Sequence, residues 1–267
     1  MFRIVSGNPT LVWCPVDYSS GGDTLYVGQL VKSTGDGVAP LGQASGAYDT
    51  SAKANVFGVV VGTNNINPTF NTTYKADYIT SVSSQAALAA RSFFGPEGGW
   101  GKAEPMAMVQ VALIDPSTII QGSLFGTTYG VAPTIVDETT GDATGLTVTY
   151  TAGTADATTV ADNATLYGVT GANAGVYRIC TSANNSASTC AIAFPQDIAI
   201  GDTFKIIGVR PCGLTKIQTD SESTFIDVDQ ALTTNYWGVT VVGIDLSVAG
   251  KETINFRFNT AHFNARG

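Results

Sequence analysis

The sequence predicts an all-β protein built as two small β-barrel or sandwich modules with one short helix. Three observations carry this. Short runs rich in Val, Ile, Thr and aromatic residues recur along the chain, most of them bounded by Gly, Asp, Asn or Pro. Only one run has helical character. A turn-and-strand signature also occurs twice: Gly22-Asp23-Thr24 with a later Asn55-Val56-Phe57-Gly58, and Gly201-Asp202-Thr203 with a later Asn235-Tyr236-Trp237-Gly238, at nearly the same spacing. The recurrence reads as an ancient duplication or as two similar barrel modules, placed at 1–125 and 126–267.

In chain order, strands are expected at 24–31, 56–62, 106–114, 146–152, 176–182, 190–194, 203–209, 236–246 and 253–258. Regular short strands separated by turn residues imply sandwiches or barrels. The run "SSQAALAARSFF" (83–94) reads as the helix, capped by Ser83 or Ser84 and stopped at Gly95-Pro96. Residues 142–168, rich in Thr, Ala and Asp, read as exposed hairpins and loops. Asp115-Pro116, Gly130 and Pro133 are turn formers that interrupt pairing, so the modules are expected to meet near 115–135.

The repeated Gly-Asp-Thr bears on function. A phosphate-binding loop needs a strand before its glycines and a helix after them. Here a strand follows, and Gly-Asp is a turn pair whose carboxylate can accept backbone N–H groups. The motif is a strand-opening turn.

Charged residues make up 13% of the chain, against about 25% in typical domains. A polar but uncharged surface suits faces covered by other subunits, because charge is depleted at interface cores; a neutral, Thr-rich β protein is the plainer reading. The net charge is −8 and the Lys and Arg residues are scattered singly. Nucleic acid and anionic membranes, which need grouped cations, are therefore not expected partners. The start "MFRIVSGNPTLVW" lacks the apolar run of a secretory signal. No stretch offers the ~18 consecutive apolar residues of a membrane helix. Synthesis in a cytoplasm, in soluble form, is the expectation.

Chemistry-bearing residues are few. The single histidine, His262, reads as a surface or packing residue, because catalysis by imidazole needs a positioned partner set. Cys14, Cys180, Cys190 and Cys212 form no CxxC pair, so no zinc site is expected. In "YRICTSANNSASTCAIAF", a turn centred on Asn185 would set Cys180 directly opposite Cys190; a reducing compartment favours free thiols there. Glu97 and Glu104 meet no glycosidase spacing rule, and the acidic loops at 136–142 and 220–229 do not match the calcium-loop pattern. No catalytic residue, metal or cofactor is expected. The rival enzyme reading is a glycan hydrolase using Glu97 or loop aspartates.

Apolar residues with no evident local cover are the candidate contacts. The N-terminal arm carries Phe2, Ile4, Leu11 and Trp13, too much apolar surface to leave in water, and an aromatic, glycine-rich stretch carries Phe93, Phe94 and Trp100. For Trp13, a place in the protein's own core is an equal alternative.

The succession "GQLVKSTGDGVAPLG", "VFGVVVG", "MVQVALIDPSTIIQGSLFGTTYGVAPT", "GVYRICTS", "FPQDIAIGDTFKIIGV" and "TINFRFNTAHFNA" resembles the β-rich capsid decoration (cement) and head structural proteins of tailed bacteriophages. The likeness covers most of the chain, as style and order of segments rather than as a sharp motif. It implies a virion protein, made in the host cytoplasm, that binds the major capsid protein and stabilises the assembled shell as a homo-oligomer, a trimer in many such proteins. It would bind through 1–125 and project 126–267 outward, with no cofactor. Small decoration proteins are often near half this size, which a duplication would explain. The rival virion reading is a head-fibre, tail or adhesive protein that contacts host glycans.

Overall fold

A computed structural model describes residues 2–16, 24–33, 37–41, 56–67, 72–74, 78–80, 108–124, 134–152, 164–218, 225–228 and 237–263. The helix expected at 83–94 lies outside them, as do Phe93, Phe94, Glu97, Trp100 and Glu104. Among the described residues the protein is all-β; a single 3-10 turn spans Thr260–Phe263.

The first half holds β1 (Arg3–Ser6), β2 (Leu11–Pro15), β3 (Thr24–Tyr26), β4 (Leu30–Ser33), β5 (Val38–Pro40), β6 (Val56–Asn67), β7 (Thr72–Tyr74), β8 (Tyr78–Thr80), β9 (Met108–Leu113) and β10 (Ile119–Leu124). The middle holds β11 (Thr134–Asp137), β12 (Thr147–Thr149), β13 (Thr165–Gly168), β14 (Tyr177–Ala183), β15 (Ala187–Cys190) and β16 (Thr203–Ile207). The end holds β17 (Leu214–Gln218), β18 (Phe225–Val228), β19 (Trp237–Asp245) and β20 (Thr253–Phe258).

Three six- or five-membered strand arrays result. The first runs β2-β9-β6-β4-β5, with Val16 bridging in parallel to Val38 so that the array curls on itself. Along β4 and the start of β6 both of its faces are covered. Leu30, Val56 and Val59 face one core, while Val31, Val60, Val109 and Val111 face another, beneath Leu25 of β3. This explains why Val59 and Val60 of β6 are both apolar: where a strand is buried on both sides, no polar alternation is needed. A bulge between Val60 and Gly62 then turns Val61 outward.

The second array is a closed ring. β10 pairs with β20 on one edge and with β1 and β18 on the other, and β18-β17-β19-β20 completes the circuit. Its inward residues, among them Ile120, Ile217, Val239, Val241, Ile254, Phe256 and Phe258, share one core with Phe2, Leu30, Val56 and Val59. Strands before residue 125 and after residue 213 thus build one sheet, so the two modules expected to divide at 125/126 are joined through it.

The third array, β11-β16-β13-β14-β15-β12, lies between these halves in sequence and has its own core around Val136, Tyr150, Leu166, Phe194, Phe204 and Ile206. Glu138 draws its two edge strands together. Its Oε2 accepts the Thr149 N–H at 2.7 Å, its Oε1 accepts the N–H groups of Thr140 and Gly141, and Thr139 N donates to Thr149 O at 2.8 Å. The carboxylate is buried and fully hydrogen-bonded, as buried charge must be. Asp142 works the same way: Oδ1 accepts from Thr144 N and Oγ1, and Oδ2 from Leu146 N and Thr147 N. These bonds, led by the Thr144 hydroxyl, hold its pKa below the usual carboxylate value. The acidic run at 136–142 is therefore a set of turn anchors.

Four expectations are corrected. The run 24–31 is two strands, because Gly28 takes a left-handed φ of 82° and turns the chain between β3 and β4. The second strand of the cysteine hairpin is 187–190 and not 190–194, which is irregular. Residues 142–168 are not only exposed loops, since Val148, Tyr150, Ala164 and Leu166 are core. The stretch expected to separate the modules contains β10, the strand that joins them. The second Gly-Asp-Thr opens β16 as expected, with Asp202 Oδ2 accepting Ala199 N at 3.0 Å. β3 begins at Thr24 of the first and, among the described residues, pairs with β8 alone, whereas β16 lies between β11 and β13. The two motifs thus differ in strand pairing, and Gly22 and Asp23 of the first lie outside the described residues.

The third array is bonded to the ring by Lys205. Its Nζ donates to Glu252 Oε1 at 2.7 Å and to Leu246 O at 3.0 Å, with side-chain exposures of 4% and 9% for the ion pair. Removing one partner of such a pair strands a buried charge, which costs ~3–5 kcal/mol. Lys205→Met should lower unfolding stability by about that much in urea titration, and the double variant Lys205→Met/Glu252→Leu should recover most of the loss.

Candidate interaction surface

The arm splits into an inward half and an outward half. In β1, side chains alternate across the sheet. Phe2 and Ile4 turn inward, and Arg3 and Val5 turn outward. Phe2 is 2% exposed, meets the Phe256 ring edge-to-face at 6.3 Å, and donates its backbone N–H to Gly28 O at 2.8 Å. Ile4 is half-buried against the same core. Phe2, expected as a contact residue, is instead a core residue, because the pairing of β1 with β10 carries it over the ring.

β2 behaves differently. Val12 and Cys14 face the inner core of the first array, while Leu11 and Trp13 are 52% and 51% exposed. The register explains this. Leu30 pairs with Val59, Val59 with Ala112, and Ala112 with Leu11, so these four side chains form one row on one face. The first three are almost fully buried, Leu30 and Val59 in the core shared with the ring. The row runs past its cover at β2, the terminal strand of the array, and Trp13 extends the uncovered strip beside Gln110. A terminal strand with outward apolar residues is a template for association.

A second concave feature lies between the third array and the ring. Tyr167 and Tyr177 sit directly opposite each other in β13 and β14. With Pro211, Val242, Asp245 and Leu246 they line a groove of about 240 Å³. Asp245 accepts from Ser247 Oγ and N, which holds its pKa below the usual carboxylate range, so it is charged at neutral pH. The bulge between Val241 and Gly243 turns β19 at the groove wall. Sequence reading missed this groove, because its walls come from segments distant in sequence and carry no local motif.

His262 packs edge-on to Trp237 at 5.2 Å and Phe258 at 6.1 Å, and its Nε2 accepts the Gly238 N–H at 3.0 Å. No group of three or more His, Cys, Asp and Glu side chains suited to a metal occurs among the described residues. No described helix is long and apolar enough to cross a membrane. Comparison of the chain with known protein families, with curated proteins and with solved structures finds no match.

Two predictions follow from this geometry. Phe2→Ala should cost ~3–5 kcal/mol of stability, as for other buried aromatics, whereas Trp13→Ser should change it by no more than ~0.5 kcal/mol; chemical denaturation of both variants checks the division of the arm. The second concerns His262, whose burial pushes its pKa below the ordinary value of about 6.5. The folded state therefore prefers the neutral ring, while the unfolded chain takes up the proton at about 6.5. The stabilisation is complete above that value and is lost as pH falls from it through the lower folded pKa. Melting temperature should decline between pH 7 and 5, and His262→Gln should flatten that decline.

Proposed function

We propose that this chain is a structural protein of a virus particle, a decoration subunit that docks on an assembled capsid shell and holds neighbouring capsid subunits. It acts by binding and not by catalysis. Its partners are the major capsid protein and further copies of itself, as a homotrimer on the capsid surface. The observation that carries this reading is the row Leu30, Val59, Ala112, Leu11, buried along three members and uncovered at the fourth, with Trp13 beside it. Support also comes from the low charge content of 13% and from the segment order described above. Aromatic anchors in desolvated pockets dominate most interfaces, with truncation costing ~2 kcal/mol or more each.

A second reading is favoured by the groove at Tyr167, Tyr177 and Asp245: a virion part that contacts a host glycan, with aromatic faces against the sugar ring and the carboxylate on its hydroxyls.

One experiment separates them. Purified protein is mixed with shells from particles that lack it, and bound copies are counted after sedimentation. Wild type should bind, and Leu11→Ser/Trp13→Ser should bind at least tenfold more weakly with its melting temperature unchanged. Full occupancy by the double variant overturns the docking edge. Glycan binding that Tyr177→Ala abolishes, together with no shell binding by wild type, establishes the second reading instead.

A further inference from the structure

The geometry points to Cys180 and Cys190 as an oxidisable pair that closes to a cross-strand disulfide inside the third array without rearrangement of the fold. Both thiols are free in the structure and buried, at 1% and 3% exposure. They are register partners of β14 and β15. The pair is of the non-hydrogen-bonded kind: Cys180 N donates to Ala164 O at 2.9 Å and Cys190 N to Leu146 O at 2.8 Å, each away from the other. The hydrogen bond that ties the strands belongs to the next pair, from Ala191 N to Ile179 O at 2.8 Å. Cα atoms of such a pair lie about 4.5 Å apart, within the ~4.4–6.8 Å that a disulfide spans. Both side chains project into one core among Val148, Leu166 and Phe204, so rotation about the side-chain bonds brings the sulfurs together.

The two thiols are not equivalent. A hydrogen bond from the Cys180 thiol, with the charge of Arg178, pulls the Cys190 pKa down, and the same bond with burial pushes that of Cys180 up. The Arg178 guanidinium reaches Ala193 O and the Phe194 ring just beyond Cys190, and a cation placed there favours Cys190 as the attacking thiolate, with Cys180 as the resolving thiol. Cys190 also ends β15 and is followed by the exposed Ala191 and Ile192. With hydrogen peroxide as oxidant, the Cys190 thiolate attacks one peroxide oxygen and the O–O bond breaks. The departing hydroxide takes a proton to become water and leaves a sulfenic acid on Cys190. The Cys180 sulfur then attacks the Cys190 sulfur. The S–S bond forms, the S–O bond breaks, and the leaving hydroxide with the Cys180 proton gives a second water. Two thiols are oxidised and one peroxide is reduced.

The test uses the folded full-length protein. It is exposed to dilute hydrogen peroxide, unfolded in an alkylating reagent and digested with trypsin. The peptide from Ile179 to Lys205 contains both cysteines and no internal Lys or Arg. It should lose two hydrogens and carry no alkyl group, and reduction before alkylation should restore two alkyl groups. The oxidised protein should melt several degrees higher than the reduced one, and Cys180→Ser should block the cross-link and leave a sulfenic acid that a dimedone probe traps on Cys190. Recovery of both cysteines alkylated after peroxide has fully oxidised the exposed Cys212 would overturn the pairing. So would a cross-link that forms only in denaturant, or one that joins either residue to Cys212.

Discussion

Leu124, Glu252 and Lys205 meet where the third array joins the ring. Leu124 ends β10 and donates its N–H to Glu252 O at 2.9 Å, and the Glu252 side chain takes the Lys205 ammonium at 2.7 Å. Three segments distant in sequence are thereby fixed at one residue. A buried ion pair contributes little net stability after both charges are desolvated; its value is in making other arrangements costly, since any shift of β16 would leave a charge unpaired in the interior. The ring itself depends on the same place. Among the described residues, the pairing of β10 with both β20 and β18 is what turns an open sheet into a circuit. Closure removes strand edges that would otherwise invite association.

Against that closed interior, the uncovered strip at β2 stands out. Along the row Leu30, Val59, Ala112 and Leu11, exposure rises from 1% to 52% without a change of chemistry. In the proposed reading a capsid subunit completes the cover that the ring leaves short. The surrounding polar surface is secured by short carboxylate- and amide-anchored turns at Asp115, Glu138, Asp142, Asn184 and Asp245. Each spends its hydrogen bonds on nearby backbone N–H and hydroxyl groups. Acidic residues used in this way serve the turns, which accounts for a chain that is acidic in composition with no acidic cluster among its described residues suited to a cation.

Much of the strand content was legible in the sequence, because β-branched runs bounded by turn residues have few other destinations; 253–258 is β20 to the residue. The pairing of Cys180 with Cys190 was anticipated, but the turn alone sets Ala183 opposite Ser188 and Ser182 opposite Thr189; a bulge between Cys180 and Ser182, which the sequence does not announce, is what brings Cys180 opposite Cys190. Other features depended on long-range pairing. Asp115-Pro116 does make a turn, with Asp115 Oδ1 accepting Ser117 N and Thr118 N, but the strand behind it pairs with partners that no local pattern names. For the same reason Phe2 and Trp13 look alike in sequence. Both are aromatic residues on an N-terminal arm, and only the pairing of β1 with β10 and of β2 with β9 sends one to the core and the other to the surface. The Tyr167 and Tyr177 groove could not be read at all, because Asp245 and Pro211 reach it from the ring.

The central claim is that the β2 edge is the face set against a shell. Electron microscopy of the source particle, at a resolution that traces the chain, tests it most directly. Repeated density for this protein is expected on the capsid lattice, with Leu11 and Trp13 buried against capsid subunits and the third array farther from the shell. Density on the tail, or on the lattice with Trp13 facing solvent, would contradict it.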